Sequence, residues 1–315
     1  MYAPICLFTY NRLKETKQTI DSLKNNFLAL ESELYIFSDG PRNEIVKPEV
    51  DNVREYLRTV NGFKAVSIIE SNENKGLANS IISGVTQVIK KYGKVIVLED
   101  DLITSANFLI FLNQALYFYK NDLNIQSING FALDISYTGN KDDVYFQKRP
   151  FSWGWATWSD RWNPNIFNKE MIKSEINLNI SVLKKFKKAC GDDIVTMLLN
   201  SINEKNDSWY VRWVYNHFKN KRYSVYPRYS LVENIGFGDS GTHCKNINSY
   251  IYKLDNRNKL EFNFTKFKEP KKSLNKAFLF NFSLFNKVLI RIKLLKTMTG
   301  RKQLISEIKS KINIK

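Results

Sequence analysis

The chain is poor in cysteine and histidine, the residues that build disulfide frameworks and zinc sites. Its 315 residues include three cysteines (Cys6, Cys190 and Cys244) and two histidines, and no C-x-x-C pair occurs. This composition excludes a disulfide scaffold and a Cys/His zinc site. It is typical of proteins from a reducing compartment, so we expect a cytoplasmic location.

Long apolar runs are also missing. A membrane-spanning helix needs about 18 or more consecutive apolar residues, and no such run occurs. The apolar start, Ala3 to Phe8, is too short for a signal peptide and has no basic segment before it. With 43% hydrophobic and 14% aromatic residues, the chain can nevertheless bury a sizeable core, which excludes a wholly disordered protein.

Acidic residues are scarce only near the end of the chain. The net charge is +17, from 48 Lys+Arg and 31 Asp+Glu. Residues 245–315 carry 18 basic and 4 acidic groups, or +14, whereas residues 1–244 carry 30 and 27, or +3. Nucleic-acid-binding domains usually carry their charge on the folded body, so the nearly neutral body argues against a nucleic-acid partner.

The first hundred residues alternate short apolar runs with longer amphipathic segments. The apolar runs predict strands at Pro4–Thr9, Leu34–Ser38, Ala65–Glu70 and Lys94–Leu98, and the segments between them predict helices at Lys14–Leu30, Glu49–Val60 and Leu77–Lys91. This alternation indicates βαβ units, so we predict an α/β fold with a mainly parallel sheet flanked by helices. Ligands bind such sheets at the carboxyl ends of the strands, where this chain places polar residues.

The pattern after Asp101 is less regular. It predicts strands at Gln126–Leu133, Val144–Gln147 and Tyr223–Tyr226, helices at Phe108–Tyr119, Ile176–Lys188, Asp192–Asn203 and Ser208–Asn220, and a glycine-rich loop at Leu231–Cys244. No regular sheet pattern is visible beyond Lys245.

Three adjacent carboxylates, Glu99, Asp100 and Asp101, follow the apolar run V-I-V-L. Such a cluster repels itself unless a cation neutralises it. Mg²⁺ and Mn²⁺ are typically held by one or two carboxylates together with substrate phosphates. The alternative is a solvated turn in which Asp101 caps the next helix. The βαβ context favours the metal.

Other strand ends carry weaker signals. Lys75, Gly76 and the start of the following helix could meet a diphosphate, with Gly76 allowing a close backbone approach, although an ordinary helix-starting loop would look the same. Asp39 could bind a nucleobase or ribose, or lie in a plain turn. Arg12 is a candidate phosphate or base contact, or a surface arginine.

Taken in order, these segments resemble a known family. F-T-Y-N-R, S-D-G-P, N-K-G-L and V-L-E-D-D-L are followed by F-S-W-G-W-A-T-W, D-S-W-Y-V-R-W and N-I-G-F-G-D-S-G-T-H-C. The series resembles GT-A-fold glycosyltransferases, and among them the bacterial sugar transferases with an E-D-D motif that are related to the N-acetylglucosaminyltransferase I family. We therefore expect a glycosyltransferase domain at 1–244, with a nucleotide-sugar-binding half at 1–101 and an acceptor half at 102–244, and a basic tail at 245–315.

The resemblance implies a nucleotide-sugar donor, with a UDP-sugar favoured, and a Mn²⁺ or Mg²⁺ cofactor. Asp101 would ligate the metal, Glu99 and Asp100 would contact the ribose, donor sugar or metal-bound water, and Asp39 would lie near the uracil or ribose. The sugar would pass, with inversion, to a hydroxyl of a glycan or lipid-linked saccharide, as in the synthesis of lipopolysaccharide or another surface polysaccharide.

A carboxylate must take the proton from that hydroxyl. Asp207 in N-D-S-W-Y-V-R-W is the first candidate and Asp193 the second. Relatives often carry the acid directly after the first Trp of this segment, where this chain has Tyr210. Asp207 could instead be the N-cap of a helix.

The six tryptophans lie between Trp153 and Trp213. Flat aromatic rings suit the apolar faces of sugars, so we expect Trp153 or Trp155 to line the sugar pocket, with the other rings in an aromatic core. Gly154 between them indicates a close backbone approach. His243 ends the glycine-rich loop, and the resemblance favours a donor or metal contact over a surface position.

The basic tail leaves three alternatives. Residues 274–296 mix Phe, Leu and Ile with five cations and no acid. This pattern favours an anionic membrane surface, at the inner face if the enzyme is peripheral, or helices packed on the body, over nucleic acid. For the whole chain, the alternatives to a glycosyltransferase are a nucleotidyltransferase and a non-enzymatic basic binding protein. The segment after the first strand lacks the glycine-rich loop of the former, and the latter would not need the acidic triplet.

Overall fold

The computed structural model describes residues 1–135, 142–236, 250, 252–298, 300–302 and 304–305. The strands in these ranges are β1 (Ile5–Thr9), β2 (Glu33–Ser38), β3 (Ala65–Glu70), β4 (Lys94–Glu99), β5 (Leu102–Thr104), β6 (Ile125–Asn129), β7 (Val144–Gln147), β8 (Trp155–Trp158), β9 (Tyr223–Pro227) and β10 (Val232–Asn234). The α-helices are α1 (Leu13–Lys24), α2 (Lys47–Leu57), α3 (Gly76–Tyr92), α4 (Phe108–Phe118), α5 (Lys169–Leu178), α6 (Ser181–Cys190), α7 (Ile194–Ile202), α8 (Trp209–Lys219), α9 (Lys272–Phe280) and α10 (Leu284–Leu295).

An eight-stranded sheet with the order β3-β2-β1-β4-β8-β6-β9-β7 forms the centre of the molecule. The first four strands of this order are parallel, as predicted for the first hundred residues. Antiparallel pairs enter where β8 lies between β4 and β6 and where β7 joins β9. The predicted α/β fold with helices flanking a large sheet is confirmed, and the parallel pairing is concentrated in its first half.

Alternating side chains of β1 explain why helices cover both faces of the sheet. Ile5 and Leu7 pack in one cluster with the α1 residues Ile20 and Leu23. Cys6 and Phe8 point the other way and join the apolar face of α3. A strand that is buried on both faces reads as a continuous apolar run, which is why β1 and β4 were visible in the sequence.

Two predicted helix boundaries are wrong. The helix predicted at Lys14–Leu30 ends at Lys24, and a short 3-10 helix at Ala29–Glu31 follows, so Phe27 and Leu30 are exposed. The chain turns away there because the Phe27 N–H donates to the carbonyl of Ala106 rather than to a helical partner. The single helix predicted at Ile176–Lys188 is instead α5 and α6, which Asn179 and Ile180 separate.

Two strand boundaries also differ from the predictions. The strand predicted at Gln126–Leu133 ends at Asn129, because the next N–H, that of Gly130, donates to the carbonyl of Gly154. The predicted loop at Leu231–Cys244 begins with β10, which pairs antiparallel with β5. Each of these two strands has only three residues, so neither leaves a periodic pattern in the sequence.

The described residues after 250 pack onto the body before they reach α10. Phe262, Phe278 and Phe282 belong to the same core cluster as β1 and α4. The carboxylate of Asp255 is buried and accepts hydrogen bonds from Arg257 and Asn107. The described part of the tail includes the helices α9 and α10, and the domain boundary at residue 245 stays a prediction. Among the described helices, none is both long enough and apolar enough to cross a membrane.

Candidate active site

A cleft of about 400 Å³ opens at the carboxyl ends of the parallel strands. Its walls include residues at the ends of all four parallel strands, namely 9–12 at β1, 39 and 42 at β2, 74 and 76 at β3, and 99–101 at β4, and from the start of α3. The other wall carries Ser152, Trp153 and residues 206–210 at the start of α8. The topology therefore brings together the segments that the sequence singled out, because parallel strands end at one edge of the sheet.

The acidic triplet lines one wall of this cleft, at the end of β4. Asp100 and Asp101 are both buried, and the guanidinium of Arg12 pairs with both of them. Its Nη2 atom lies 3.1 Å from Asp101 Oδ2 and also donates to Asp100 Oδ1. Arg12 is therefore not a plain surface arginine: in this structure it is the counterion of the triplet, and its predicted contact with a phosphate or base stays a prediction.

Burial and mutual repulsion change the titration of these acids. Burial, followed by the charges of Asp101 and Asp100, raises the pKa of Glu99 to about 8. Burial raises the pKa of Asp100 to about 6, although the Arg12 charge opposes this change. Burial also raises the pKa of Asp101. One guanidinium thus leaves the triplet short of positive charge, which is the condition that favours an added cation.

The β5–β10 pair brings a second segment against Asp101. The Ile235 N–H donates to the Asp101 carbonyl at 2.9 Å, and Asn234 Nδ2 lies 3.4 Å from Asp101 Oδ1. A Cβ on Gly236 would lie only 2.1 Å from Asp101 Oδ2, so this position requires glycine. Asn234 and Gly236 were not predicted as site residues, and the only sequence signal for them was their place in N-I-G-F-G.

The carboxylate of Asp39 organises the start of α3. Its Oδ1 accepts the N–H groups of Gly40 and Lys75, and its Oδ2 accepts that of Gly76, each at 2.9 Å. The side chain is buried at the cleft wall and holds two loops together. Asp39 thus acts as a remote cap for α3. Its predicted contact with uracil or ribose stays a prediction.

The same contacts describe the surroundings of Lys75 and Gly76, whose predicted roles at a diphosphate stay predictions. The N–H groups expected to meet a diphosphate are already bonded to Asp39, and the Lys75 side chain lies outside the cleft lining. Gly76 has φ +74° with open space where a Cβ would stand. Glycine therefore suits the left-handed backbone at Gly76, and its predicted close approach to a diphosphate stays a prediction. Within the protein, a close approach occurs at Gly40, whose Cβ would meet the Glu73 backbone at 2.4 Å.

The two candidate bases lie in different surroundings. Asp207 lines the cleft, its side chain is 44% exposed, and it pairs with Arg212 at 2.9 Å and Lys169 at 3.3 Å. It is not the N-cap of α8, because that position belongs to Ser208, whose hydroxyl accepts the Val211 N–H. Asp193 is absent from the cleft lining and is bound by Arg149 through two hydrogen bonds of 2.7 and 3.3 Å.

The two candidate sugar-binding tryptophans are also separated. Trp153 lines the cleft, where its ring lies against Phe131 at 4.5 Å between centroids. Trp155 is 1% exposed and stacks between Trp162 and Trp209, so it belongs to the aromatic core rather than to the pocket. Gly154 makes the expected close approach, since a Cβ there would lie 2.9 Å from the Phe108 ring.

Other residues line the cleft that the sequence did not single out as individual site residues. Tyr10 and Arg42 line it at the ends of β1 and β2, and the Arg42 N–H donates to the Tyr10 hydroxyl at 3.2 Å. Tyr210 lines it on the opposite wall. His243 lies outside the described residues, so its predicted donor or metal contact stays a prediction.

A divalent cation suits the chemistry of this donor set. The buried carboxylate oxygens are the hard ligands that Mg²⁺ and Mn²⁺ prefer, and they lack positive charge. In the described part of the chain, no three His, Cys, Asp or Glu side chains are placed to hold a metal by themselves. The donor set therefore fits a divalent cation whose coordination is completed by groups from outside the described residues.

These features define an α/β protein of the GT-A type with an acidic cleft at its strand ends. The family model described as glycosyl transferase family 2 matches residues 5–179, which is more than half of the chain. The chain belongs to glycosyl transferase family 2.

Several solved structures are similar at low identity. One is the mannosyltransferase PcManGT from Pyrobaculum calidifontis in complex with GDP-Man and Mn²⁺, with 10% identity, a TM-score of 0.35, and coverage of 51% of this chain and 46% of that one. Another is S. aureus TarS 1–349, with 13% identity, a TM-score of 0.33, and coverage of 53% and 48%. A third is UDP-glucose pyrophosphorylase, with 10% identity, a TM-score of 0.34, and coverage of 72% of this chain and 90% of that one. This chain thus spans about half the length of the first two. None of the curated proteins matches it.

Proposed function

We propose that this protein transfers a sugar from a nucleotide-sugar donor to a hydroxyl of a glycan or lipid-linked acceptor, with Mn²⁺ or Mg²⁺ as cofactor. The observation that carries the proposal is the cleft itself. It joins the buried triplet Glu99–Asp101 on one wall to Asp207 and Trp153 on the other, in a chain of glycosyl transferase family 2.

The donor diphosphate lies against the triplet in this proposal. Asp101 would hold the cation, which when bound would supply positive charge to stabilise the leaving diphosphate. Arg12 helps to neutralise the negative charge of the diphosphate. Its planar guanidinium can bind a phosphate as well as the carboxylates that it binds in this structure. Asp39 keeps the α3 loop in place beside the nucleotide.

The acceptor enters from the α8 wall. Its hydroxyl oxygen forms the new bond to the anomeric carbon, the bond from that carbon to the diphosphate oxygen breaks, and its electron pair leaves with the nucleoside diphosphate. Asp207 takes the hydroxyl proton, because it is the acid of the two candidates that lines the cleft. Such a direct displacement inverts the anomeric centre. Trp153 packs against the apolar face of a sugar ring.

The finer assignments rest on the resemblance of the sequence motifs. They are a UDP-sugar donor, a relation to the N-acetylglucosaminyltransferase I family, a hexosyl or N-acetylhexosaminyl group as the transferred sugar, and a cytoplasmic role in the synthesis of lipopolysaccharide or another bacterial surface polysaccharide. The two described cysteines, Cys6 and Cys190, are buried and free, which agrees with a reducing compartment.

A donor screen tests the proposal. UDP-, GDP-, CMP- and dTDP-sugars are compared for thermal stabilisation and slow hydrolysis, each with Mn²⁺ and with EDTA. We expect one nucleotide class to stabilise the protein only with metal. Asp101→Asn should abolish this effect, whereas the matched control Asp160→Asn, at an exposed acid outside the cleft, should keep it.

Two results would contradict the proposal. Hydrolysis that survives Asp101→Asn would remove the metal assignment. Release of pyrophosphate from a nucleoside triphosphate and a sugar 1-phosphate would instead identify a nucleotidyltransferase, which shares an α/β fold and acidic metal ligands with this chain.

A further inference from the structure

The helix α10, in the basic tail, is fixed to the body at its start but buries none of its own residues. Phe282, just before α10, is 1% exposed and lies over the buried guanidinium of Arg149, with 3.7 Å between the Arg149 Cζ and the ring centroid. The Phe282 Cβ also packs on Gly191, where any side chain would come within 2.9 Å of it. Within the described part of the chain, no residue of α10 itself is buried.

The solvent-facing side of α10 is apolar. The most exposed apolar side chains, with 49% to 68% of their surface accessible, are Leu284, Phe285, Val288, Ile292 and Leu295. At about 100° of rotation per residue, they occupy one arc of about 100°. Phe280, at the end of α9, extends this patch, and its ring centroid lies 6.3 Å from that of Phe285.

Cations border the apolar arc on both sides. By the same helical rotation, Lys287 and Arg291 lie on one flank, and Lys293 and Lys296 lie on the other. The sequence from Lys271 to Lys296 contains no Asp or Glu. Lys287 is held 3.9 Å from Asp193, which ties this flank to the body beside Arg149. An apolar arc between two cationic flanks is the pattern of helices that lie in a membrane interface.

We propose that this face of α10, comprising the five apolar residues and the four cations that border them, docks onto an anionic membrane surface. The apolar side chains enter the boundary between headgroups and acyl chains, and the cations meet the lipid phosphates. Charge complementarity selects this occupant. A second copy of the helix would bring like charges together, and a nucleic acid would leave the apolar arc in water.

The anchor gives this docking a defined orientation. Since Phe282 is packed between Arg149 and Gly191, the helix presents its face in a fixed relation to the body. The residues that dock are separate from the cleft, so membrane docking does not depend on which sugar or acceptor the enzyme uses. The two proposals fail separately, because one is measured by lipid binding and the other by donor binding.

The test uses the full chain and vesicles of equal parts phosphatidylglycerol and phosphatidylcholine, with pure phosphatidylcholine vesicles for comparison. Co-flotation at low salt measures the partition coefficient. The triple variant F285S/V288S/I292S should lower it at least tenfold. The control L30S/L178S/I180S, at apolar residues elsewhere that are even more exposed, should not change it.

A second variant tests the contribution of the cations that border the apolar arc. K293Q/K296Q should reduce partitioning roughly 25-fold, because each cation near an anionic surface contributes roughly fivefold. K184Q/K185Q on α6 is its control. Because α10 buries no residue, both variants should unfold at the wild-type urea concentration, which separates lost docking from lost folding.

Four results would overturn the proposal. The triple serine variant could partition like the wild type, or neutral vesicles could bind as strongly as anionic ones. The chain could bind single-stranded RNA with the same affinity whether or not the apolar arc is intact, and ignore vesicles. Sedimentation could show a dimer that the triple variant abolishes, in a protein that does not float with lipid.

Discussion

Asp39 offers a direct test of how the cleft is assembled. Its carboxylate accepts three backbone N–H groups at 2.9 Å, two of them at the start of α3. Asp39→Asn keeps the size of the side chain but replaces one acceptor oxygen with an NH₂ group. That group would face a backbone N–H, so at least one donor loses its partner.

The expected cost follows from these contacts. A buried N–H left without an acceptor costs about 1–3 kcal/mol. Loss of the negative charge beside the first turn of α3 adds about 0.5–1 kcal/mol. Asp39→Asn should therefore lower the free energy of unfolding by about 2–4 kcal/mol. The loop around Gly40 should loosen at the same time, because its other contacts are to the segment that Asp39 holds.

Urea unfolding measures this change, with Asp51→Asn on the outer face of α2 as an exposed control that should change stability by less than about 0.5 kcal/mol. Hydrogen exchange at Lys75 and Gly76 should accelerate in the Asp39 variant only. A loss below about 0.5 kcal/mol, together with weakened nucleotide binding, would refute the structural role and return Asp39 to the nucleotide contact predicted from the sequence.

Three further predictions follow from the same contacts. Arg12→Gln should lower the free energy of unfolding in EDTA by about 2–4 kcal/mol, because the variant leaves buried carboxylates without their counterion. Mn²⁺ should restore part of the lost stability. Equal urea midpoints for the variant and the wild type in EDTA would contradict this prediction. Burial lowers the pKa of His217 from 6.5 to about 3, so unfolded His217 takes up a proton that the folded protein excludes. Stability should therefore fall as the pH drops below about 6.5, by up to about 1.4 kcal/mol per pH unit, and His217→Gln should remove this part of the slope in urea titrations from pH 7 to 4. Trp155→Leu should cost about 2–4 kcal/mol of unfolding free energy as a core substitution, and unchanged stability with lost donor binding would place Trp155 in the pocket instead.

The first half of the fold was predictable because its signals are local. Each of β1 to β4 is an apolar run that one sequence window contains, and their helices show their own buried stripe. The helix ends were less predictable. Phe27 continues the apolar spacing of α1, yet a hydrogen bond to Ala106, far along the chain, decides that the helix has already ended.

The candidate site divides in the same way. The sequence singled out the acidic triplet because three adjacent carboxylates after an apolar strand are unusual in themselves. It could not show that Arg12 neutralises two of them or that Asn234 approaches from β10, since these partners lie 88 to 133 positions away. Trp153 and Trp155 have similar sequence surroundings. Only the tertiary structure shows that Trp155, at the start of β8, points into the core.

The net charge shows both contributions together. The sequence by itself determined that the body is nearly neutral, that the tail is strongly basic, and that parallel strands end in polar residues, because composition and short-range periodicity are properties of the chain alone. Only the tertiary structure decided which acid faces the cleft, which glycine is required by a close approach, and which face of α10 stays in solvent. Those outcomes depend on contacts between distant segments, and such contacts exist only once the chain has folded.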